Sequence, residues 1–204
     1  MTWKLALRGR FAARLVLCAF AALAATSSLA PAAAMAHSRS RRRGCAHAHA
    51  RIASTSRAGL QRAVVCLINS ERRSHDLPAL SESRRLNRAA QGWTNVMVRE
   101  RSFSHGSNFA ARISAVGFDW STVGQNIATG YRTPAAVVKA WMRSPGHCQN
   151  ILDPRWHDVG TGVDDRPIAG ASSLPGTWTD DFGLWMGRHA PSDNWRPADG
   201  CPYG

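Results

Sequence analysis

Three short segments of this chain set a histidine or a side-chain amide beside glycine or proline. They are Phe103-Ser104-His105-Gly106, Gly124-Gln125-Asn126-Ile127-Ala128 and Trp141-Met142-Arg143-Ser144-Pro145-Gly146-His147-Cys148-Gln149-Asn150-Ile151-Leu152. Glycine and proline commit backbone to turns, where polar groups from separate elements can meet. Two imidazoles, at His105 and His147, can each ligate a borderline divalent ion such as zinc and keep the second ring nitrogen for a supporting partner. Gln125 offers a neutral oxygen and two N–H donors, enough to bridge both rings or secure the turn at Gly124, but no charge to balance a cation. Asn126 and Asn150 are expected to satisfy nearby backbone groups. His105 and His147 are then the expected metal ligands, in a weak site completed by water or substrate. Asp153, His157 and Asp158 follow closely and are the candidates for a third ligand, unless they cap and face solvent.

Hydrolytic chemistry finds less support. General acid–base work needs a proton-transfer group beside an oriented partner, and these segments hold no paired carboxylates. Ser104 and Ser144 lie near histidines in sequence, which does not set up a nucleophile, and there is no G-x-S-x-G elbow. No catalytic residue is assigned. His105, Gln125, Asn126 and His147 are expected to form a ligand-binding cleft. Phe103, Phe109, Phe118, Trp120 and Tyr131 would either line an apolar groove beside it or belong to the core.

The elements that must position these residues follow from periodicity. Ala63, Val64, Leu67 and Ile68 fall at helical spacing in a first helix ending near Asp76, before the turn at Pro78. Ser81 or Ser83 can cap a second helix with the stripe Leu86, Ala89 or Ala90, Trp93, Val96 and Met97, in which Gly92 is either a weak point or a site of close approach. A third helix spans about 108–116 and stops at Gly117. Thr133-Pro134 opens a fourth, ended by Ser144-Pro145-Gly146. The period then shifts toward two, predicting strands over 156–163 and 178–185, with another short strand at 126–128. Helices first and strands late predict an α+β, three-layer α-β-α arrangement around a small antiparallel sheet, with Trp93, Trp141, Trp156 and Trp185 in the core.

The amino-terminal stretch reads as targeting. Lys4, Arg8, Arg10 and Arg14 precede an apolar run over 15–25, and Ala34 and Ala36 offer a cleavage site. The expected organisation is a signal peptide over 1–36, a basic flexible tail over 37–59 and one folded domain over 60–204. Four basic residues in the leader and six arginines from Arg39 to Arg57 carry ten of the net +13, which leaves the rest near +3. The tail's partners would be anionic wall polymers or phospholipid headgroups. Nucleic acid is not expected, because no aromatic–basic stripe accompanies the arginines. Removing the leader leaves Cys45, Cys66, Cys148 and Cys201, an even set that reads as two disulfides in an exported protein, with three pairings open. Cys45–Cys66 with Cys148–Cys201 is preferred, since each bond would staple a tail to the core.

The stretch from about Ala63 to Gly187 resembles the CAP superfamily of cysteine-rich secretory, antigen 5 and pathogenesis-related 1 proteins, in its short bacterial secreted branch. The resemblance is carried by Leu67-Ile68-Asn69, Leu77-Pro78-Ala79-Leu80, Ser104-His105, Gly124-Gln125-Asn126-Ile127-Ala128, the Trp141–Leu152 segment, Val159-Gly160-Thr161-Gly162-Val163 and Trp178-Thr179 with Phe182-Gly183. It implies the α-β-α sandwich and a cleft in which two histidines, here His105 and His147, meet up to two acidic residues around a divalent cation. One acidic position holds Gln125 in this chain; the other falls near Ser144-Pro145, with no carboxylate. The expectation is a secreted or wall-associated monomeric binding module that takes a lipid, glycan or peptide in a weak cation-binding cleft. A metal-assisted hydrolase of extracellular polymers and a lipid- or sterol-binding protein are the alternatives.

Overall fold

The computed structural model describes residues 44–190 and Cys201 of the 204-residue chain. The expected leader and the arginine cluster at 39–43 lie outside the described residues. Helix α1 (Arg57–Ser74) begins at Ser56, whose hydroxyl accepts from Gly59 N. Its face of Leu60, Val64 and Ile68, spaced by four, is buried to 1% exposure or less. Strand β1 is the pair Ser81–Glu82. Ser83 caps α2 (Arg84–Glu100), which buries Leu86, Ala90, Thr94 and Met97. Then follow α3 (Phe109–Ala115) and β2 (Trp120–Thr129). The Thr133 hydroxyl accepts from Ala136 N at the start of α4 (Pro134–Met142), where Pro134 fits the first turn. Last come α5 (Pro145–Leu152), β3 (Asp158–Asp164) and β4 (Thr177–Trp185).

The strands lie in the order β1-β3-β4-β2. β3/β4 and β4/β2 are antiparallel, whereas the two-residue β1 runs parallel to β3. The small sheet is therefore mixed at one edge, because Pro78 brings the chain back alongside β3 just before α2 begins. Side chains alternate across it. On one face Val159, Val163, Trp178 and Phe182 pack with Leu60, Val64, Ile68, Val138, Trp141 and Ile151 from α1, α4 and α5. On the other face α2 lies directly on β3: a Cβ on Gly160 would sit 2.2 Å from Asn87 N, and one on Gly162 would sit 2.4 Å from Ala90 O. The close approach thus occurs at the strand glycines. Gly92, the position expected to allow it, has open space around it.

Two stretches differ from the sequence expectation. Residues 44–59, assigned to a flexible tail, are held against the domain. Cys45 is disulfide-bonded to Cys66 of α1, Ala135 N donates to Ala48 O (2.8 Å), and Ile52–Ser54 forms a 3-10 turn. Ser144-Pro145-Gly146 separates α4 from a further helix, α5, because proline at a first helical turn starts a helix as readily as it stops one. Of the expected tryptophans, Trp141 and Trp156 are core, Trp93 and Trp185 are half-buried, and Trp178 is fully buried. Both preferred disulfides are present, Cys45–Cys66 and Cys148–Cys201.

Candidate functional site

The site is built around the edge strand β2. Gln125 and Asn126 are consecutive and so point to opposite faces. Asn126 is fully buried. Its Nδ2 donates to His147 O (3.1 Å) and its Oδ1 accepts from Asn150 Nδ2 (2.8 Å). Asn150 Nδ2 also reaches Gln125 O (3.1 Å). These amides tie α5 to β2 and carry His147 to the strand edge. Asn126 is a positioning group with no exposed surface to offer a ligand.

His105 arrives from the opposite face, on the loop after α2. That loop is fastened twice: Trp93 Nε1 donates to Ser104 O (3.0 Å) and Arg112 Nη2 donates to His105 O (2.7 Å). The Arg112 guanidinium lies 3.7 Å from the Trp93 ring centroid, a cation–π contact. Gly106 has φ +66 and sits against Trp93, where a Cβ would be 2.7 Å from the ring, so the turn beyond His105 needs glycine.

Gln125 does not bridge the two histidines. Its Oε1 lies 3.0 Å from His105 Nδ1, and its Nε2 donates to Asp181 Oδ1 at 2.8 Å. An amide that donates to the carboxyl must accept from the imidazole, so Nδ1 carries the hydrogen and His105 Nε2 keeps the free lone pair. Burial pushes the Asp181 carboxyl up to about 7, against the lowering effect of the Gln125 hydrogen bond and the Arg112 charge. Burial, then the neighbouring His105 ring, hold His147 below the usual histidine range. Asp180 points to the opposite core. Burial raises its carboxyl well above the usual range, and neither of its oxygens has a hydrogen-bond partner among the described residues.

The other candidates lie elsewhere. Asp153 binds Arg155 (Oδ1 2.9 Å from Nε), His157 Nε2 lies 3.3 Å from His189 O, and half-buried Asp158 is at the start of β3. Neither Ser104 Oγ nor Ser144 Oγ is hydrogen-bonded to an imidazole among the described residues, and Cys148 has no thiol because it is in a disulfide. Phe118 is core, with Phe109 and Trp120 packed on its cluster, whereas Tyr131 packs on the cluster of the opposite face. These aromatics therefore line no continuous groove, and Phe103 alone is exposed. Sequence reasoning missed Asp181 and Arg112. Two adjacent acids in the apolar run Trp178–Trp185 were the signal, since a strand interior takes up carboxyls only where something holds them.

The Cysteine-rich secretory protein (CAP) family model matches residues 65–167, half of the chain. This chain belongs to the CAP family. It is 36% identical over 115 residues to the uncharacterized protein YkwD of Bacillus subtilis, a match covering 54% of this chain and 44% of that protein. An extracellular protein containing an SCP domain from Bacillus anthracis superposes with a TM-score of 0.56 at 25% identity, over 62% of this chain and 41% of that one. An outer surface protein of Borrelia burgdorferi shares the fold, with a TM-score of 0.53 at 18% identity over 60% of this chain and 90% of its own. The match thus spans less than half the length of the two Bacillus relatives. Among the described residues no helix is long and apolar enough to cross a membrane. The two disulfides of this CAP domain belong with an oxidising compartment.

The donor set decides how a divalent cation would fit. His105 and His147 supply two imidazoles, Gln125 is committed to His105 and Asp181, and no group of three His, Cys, Asp or Glu able to hold a metal ion occurs among the described residues. These residues fit weak, two-ligand binding completed by solvent; a four-ligand structural site they do not make.

Proposed function

We propose that this CAP domain is a non-catalytic binding module of an exported protein, taking an extended peptide or glycan at the β2 edge. The observation that carries the reading is the replacement of a charged floor by Gln125, with the nearest carboxyl, Asp181, only 1% exposed behind it. A neutral floor flanked by two imidazoles and the stacked Arg112 offers hydrogen-bond donors and acceptors to main-chain or hydroxyl groups. It offers no oriented acid–base pair. A divalent ion such as zinc would add Lewis-acid anchoring to such a ligand, with His105 Nε2 and the His147 ring as its protein donors. Dispersal of the aromatics over two separate clusters favours a polar ligand over a lipid or sterol. The arginine cluster at 39–43 would add non-specific attraction to anionic wall polymers or phospholipid.

The test is calorimetric titration of zinc into the oxidised protein beside a His105→Ala/His147→Ala double variant. Saturable binding with Kd of roughly 0.1–1 mM, lost in the double variant, is the expected result. Binding tighter than about 10 μM would overturn the non-catalytic reading and call for a hydrolase screen. No binding at millimolar zinc would remove the cation from the proposal and leave the histidines as hydrogen-bonding groups.

A further inference from the structure

At the far ends of the three long strands the molecule has a second hollow, of about 260 Å³, lined by Arg51, Ile52, Ala53, Arg132, Asp165 and Pro175. Thr129, Asp164 and Thr177 are mutually in register at the adjoining end of the sheet, several residues along the strands from Gln125 and Asp181. The wall is preformed. Cys45–Cys66 anchors the entering chain to α1, and Ile52 N donates to Arg132 O (3.1 Å), which sets Arg51 beside Arg132. Gly130 N donates to Gly176 O (2.8 Å), and Gly176, at φ +104, lies so close to Tyr131 O that any side chain would collide with it. Arg51–Ala53 and Pro175 fall outside the matched family segment.

Its charges are open. Neither the Arg51 nor the Arg132 side chain makes an ion pair or hydrogen bond among the described residues. Asp165 lines the same hollow without an ion pair to either arginine, so the lining carries two positive charges against one negative, and Asp164 nearby is already bound to Arg166 (2.7 Å). Two arginines lining one hollow with the apolar Ile52, Ala53 and Pro175 match a carboxylate attached to an apolar side chain. An adjoining hollow of about 170 Å³ shares Ile52 and Asp165 with it and continues past Thr55, Arg57, Leu60, Val163 and the Arg166-bound Asp164. A ligand would therefore extend from its carboxylate along the groove, with Asp165 and Thr55 to accept N–H groups. We infer that this groove binds the free carboxyl terminus of a peptide with an apolar last residue. The carboxylate lies between Arg51 and Arg132, the last side chain on Ile52 and Pro175, and the preceding residue beside Thr55.

The experiment is a ¹⁵N-¹H titration of the oxidised protein with N-acetyl-Ala-Leu and, separately, with its carboxamide. The acid should shift the Ile52, Ala53 and Asp165 amides saturably in the millimolar range or below. The amide should bind at least about tenfold more weakly, since it forfeits the charge-assisted bonds. An Arg51→Gln/Arg132→Gln variant should lose the difference between the two probes while keeping the wild-type Tm, and His105→Ala should retain it. Equal binding of acid and amide, or the absence of saturable shifts at those amides, overturns the inference on the wild-type protein alone, whether or not the arginine variant folds.

Discussion

Gln125 Nε2 donates to Asp181 Oδ1 at 2.8 Å, between residues directly opposite each other in the β2–β4 ladder. The site's carboxyl is thus one strand removed from the cleft, with a neutral amide between it and His105. The cleft keeps an oriented imidazole and loses the negative charge that would hold a cation.

Restoring the charge should restore the affinity. In Gln125→Glu a carboxylate faces His105 directly, at the cost of placing two carboxyls in contact with each other, which makes the pair share a proton near neutrality. Zinc binding by calorimetry should tighten by at least about tenfold at pH 8, the scale of a close ligand-sphere change. Unchanged affinity would show that the two imidazoles do not act on one ion.

Asp181 gives stability an unusual pH dependence. Burial pushes its folded pKa up to about 7, well above the ordinary aspartate range. A carboxyl raised on folding contributes stability fully below the unfolded value, and that contribution falls as pH rises from about 4 to about 7. Asp181→Asn keeps an oxygen for Gln125 and has no proton to lose. The variant should match the wild type near pH 4 and exceed it at pH 8 by on the order of a few kcal/mol. His147, held low, acts in the opposite sense below pH 6.5 in both proteins and cancels in the comparison. Urea denaturation across this range gives the difference curve. A flat curve would mean that Asp181 is ionised in the fold at all these pH values.

Much of the order of elements was legible in the sequence because it rests on local signals: Thr133-Pro134 at a helix start, Gly117 at a helix end, period-two strands late in the chain. The even cysteine count implied two disulfides and left three pairings open; the pairing preferred for fastening two tails is the one present. What escaped depends on partners distant in sequence. Asp181 is explained only by Gln125, fifty-six residues earlier, and α5 looked like a helix stop because Pro145 ends one helix and begins the next. Residues 44–56 have the composition of a linker and are ordered by Cys66 and the Arg132 backbone.

The contact of α2 with β3 admits no side chain at two positions. A Cβ at Gly160 would lie 2.2 Å from Asn87 N, and one at Gly162 would lie 2.4 Å from Ala90 O, both backbone atoms that cannot swing away. Either Gly→Ala change must push the helix off the sheet, with the loss of the Gln91 Nε2 to Val163 O bond (3.1 Å) and the Asn87 Oδ1 to Thr161 N bond (2.8 Å). The expected cost is about 3 kcal/mol or more, at the upper end for overpacking. Gly92→Ala, where space is open, should stabilise by up to about 1 kcal/mol. Thermal melts of the three variants check both signs together.

Arg72 holds three chain segments with one side chain. Fully buried, it donates through Nε to Pro78 O (2.8 Å) and through Nη1 to Ile151 O (2.9 Å) and Asp153 O (2.8 Å). It thereby joins the end of α1 to the Pro78 turn and to the end of α5. Burial lowers its pKa to about 10, with Asp153 pulling upward. The guanidinium therefore stays charged in the fold, compensated by three carbonyls at Nε and Nη1, while its buried Nη2 has no hydrogen-bond partner among the described residues. Arg72→Met would leave three carbonyls without their donor and cost about 3–5 kcal/mol. Arg72→Lys, with one ammonium in place of a planar fork, should recover only part of this. Because a cation lowered to about 10 is fully protonated in both states at pH 5 and at pH 8, the loss must be equal at the two values. Denaturation of Arg72→Met at both pH values measures this directly. A loss below about 1 kcal/mol would show that water satisfies the three carbonyls.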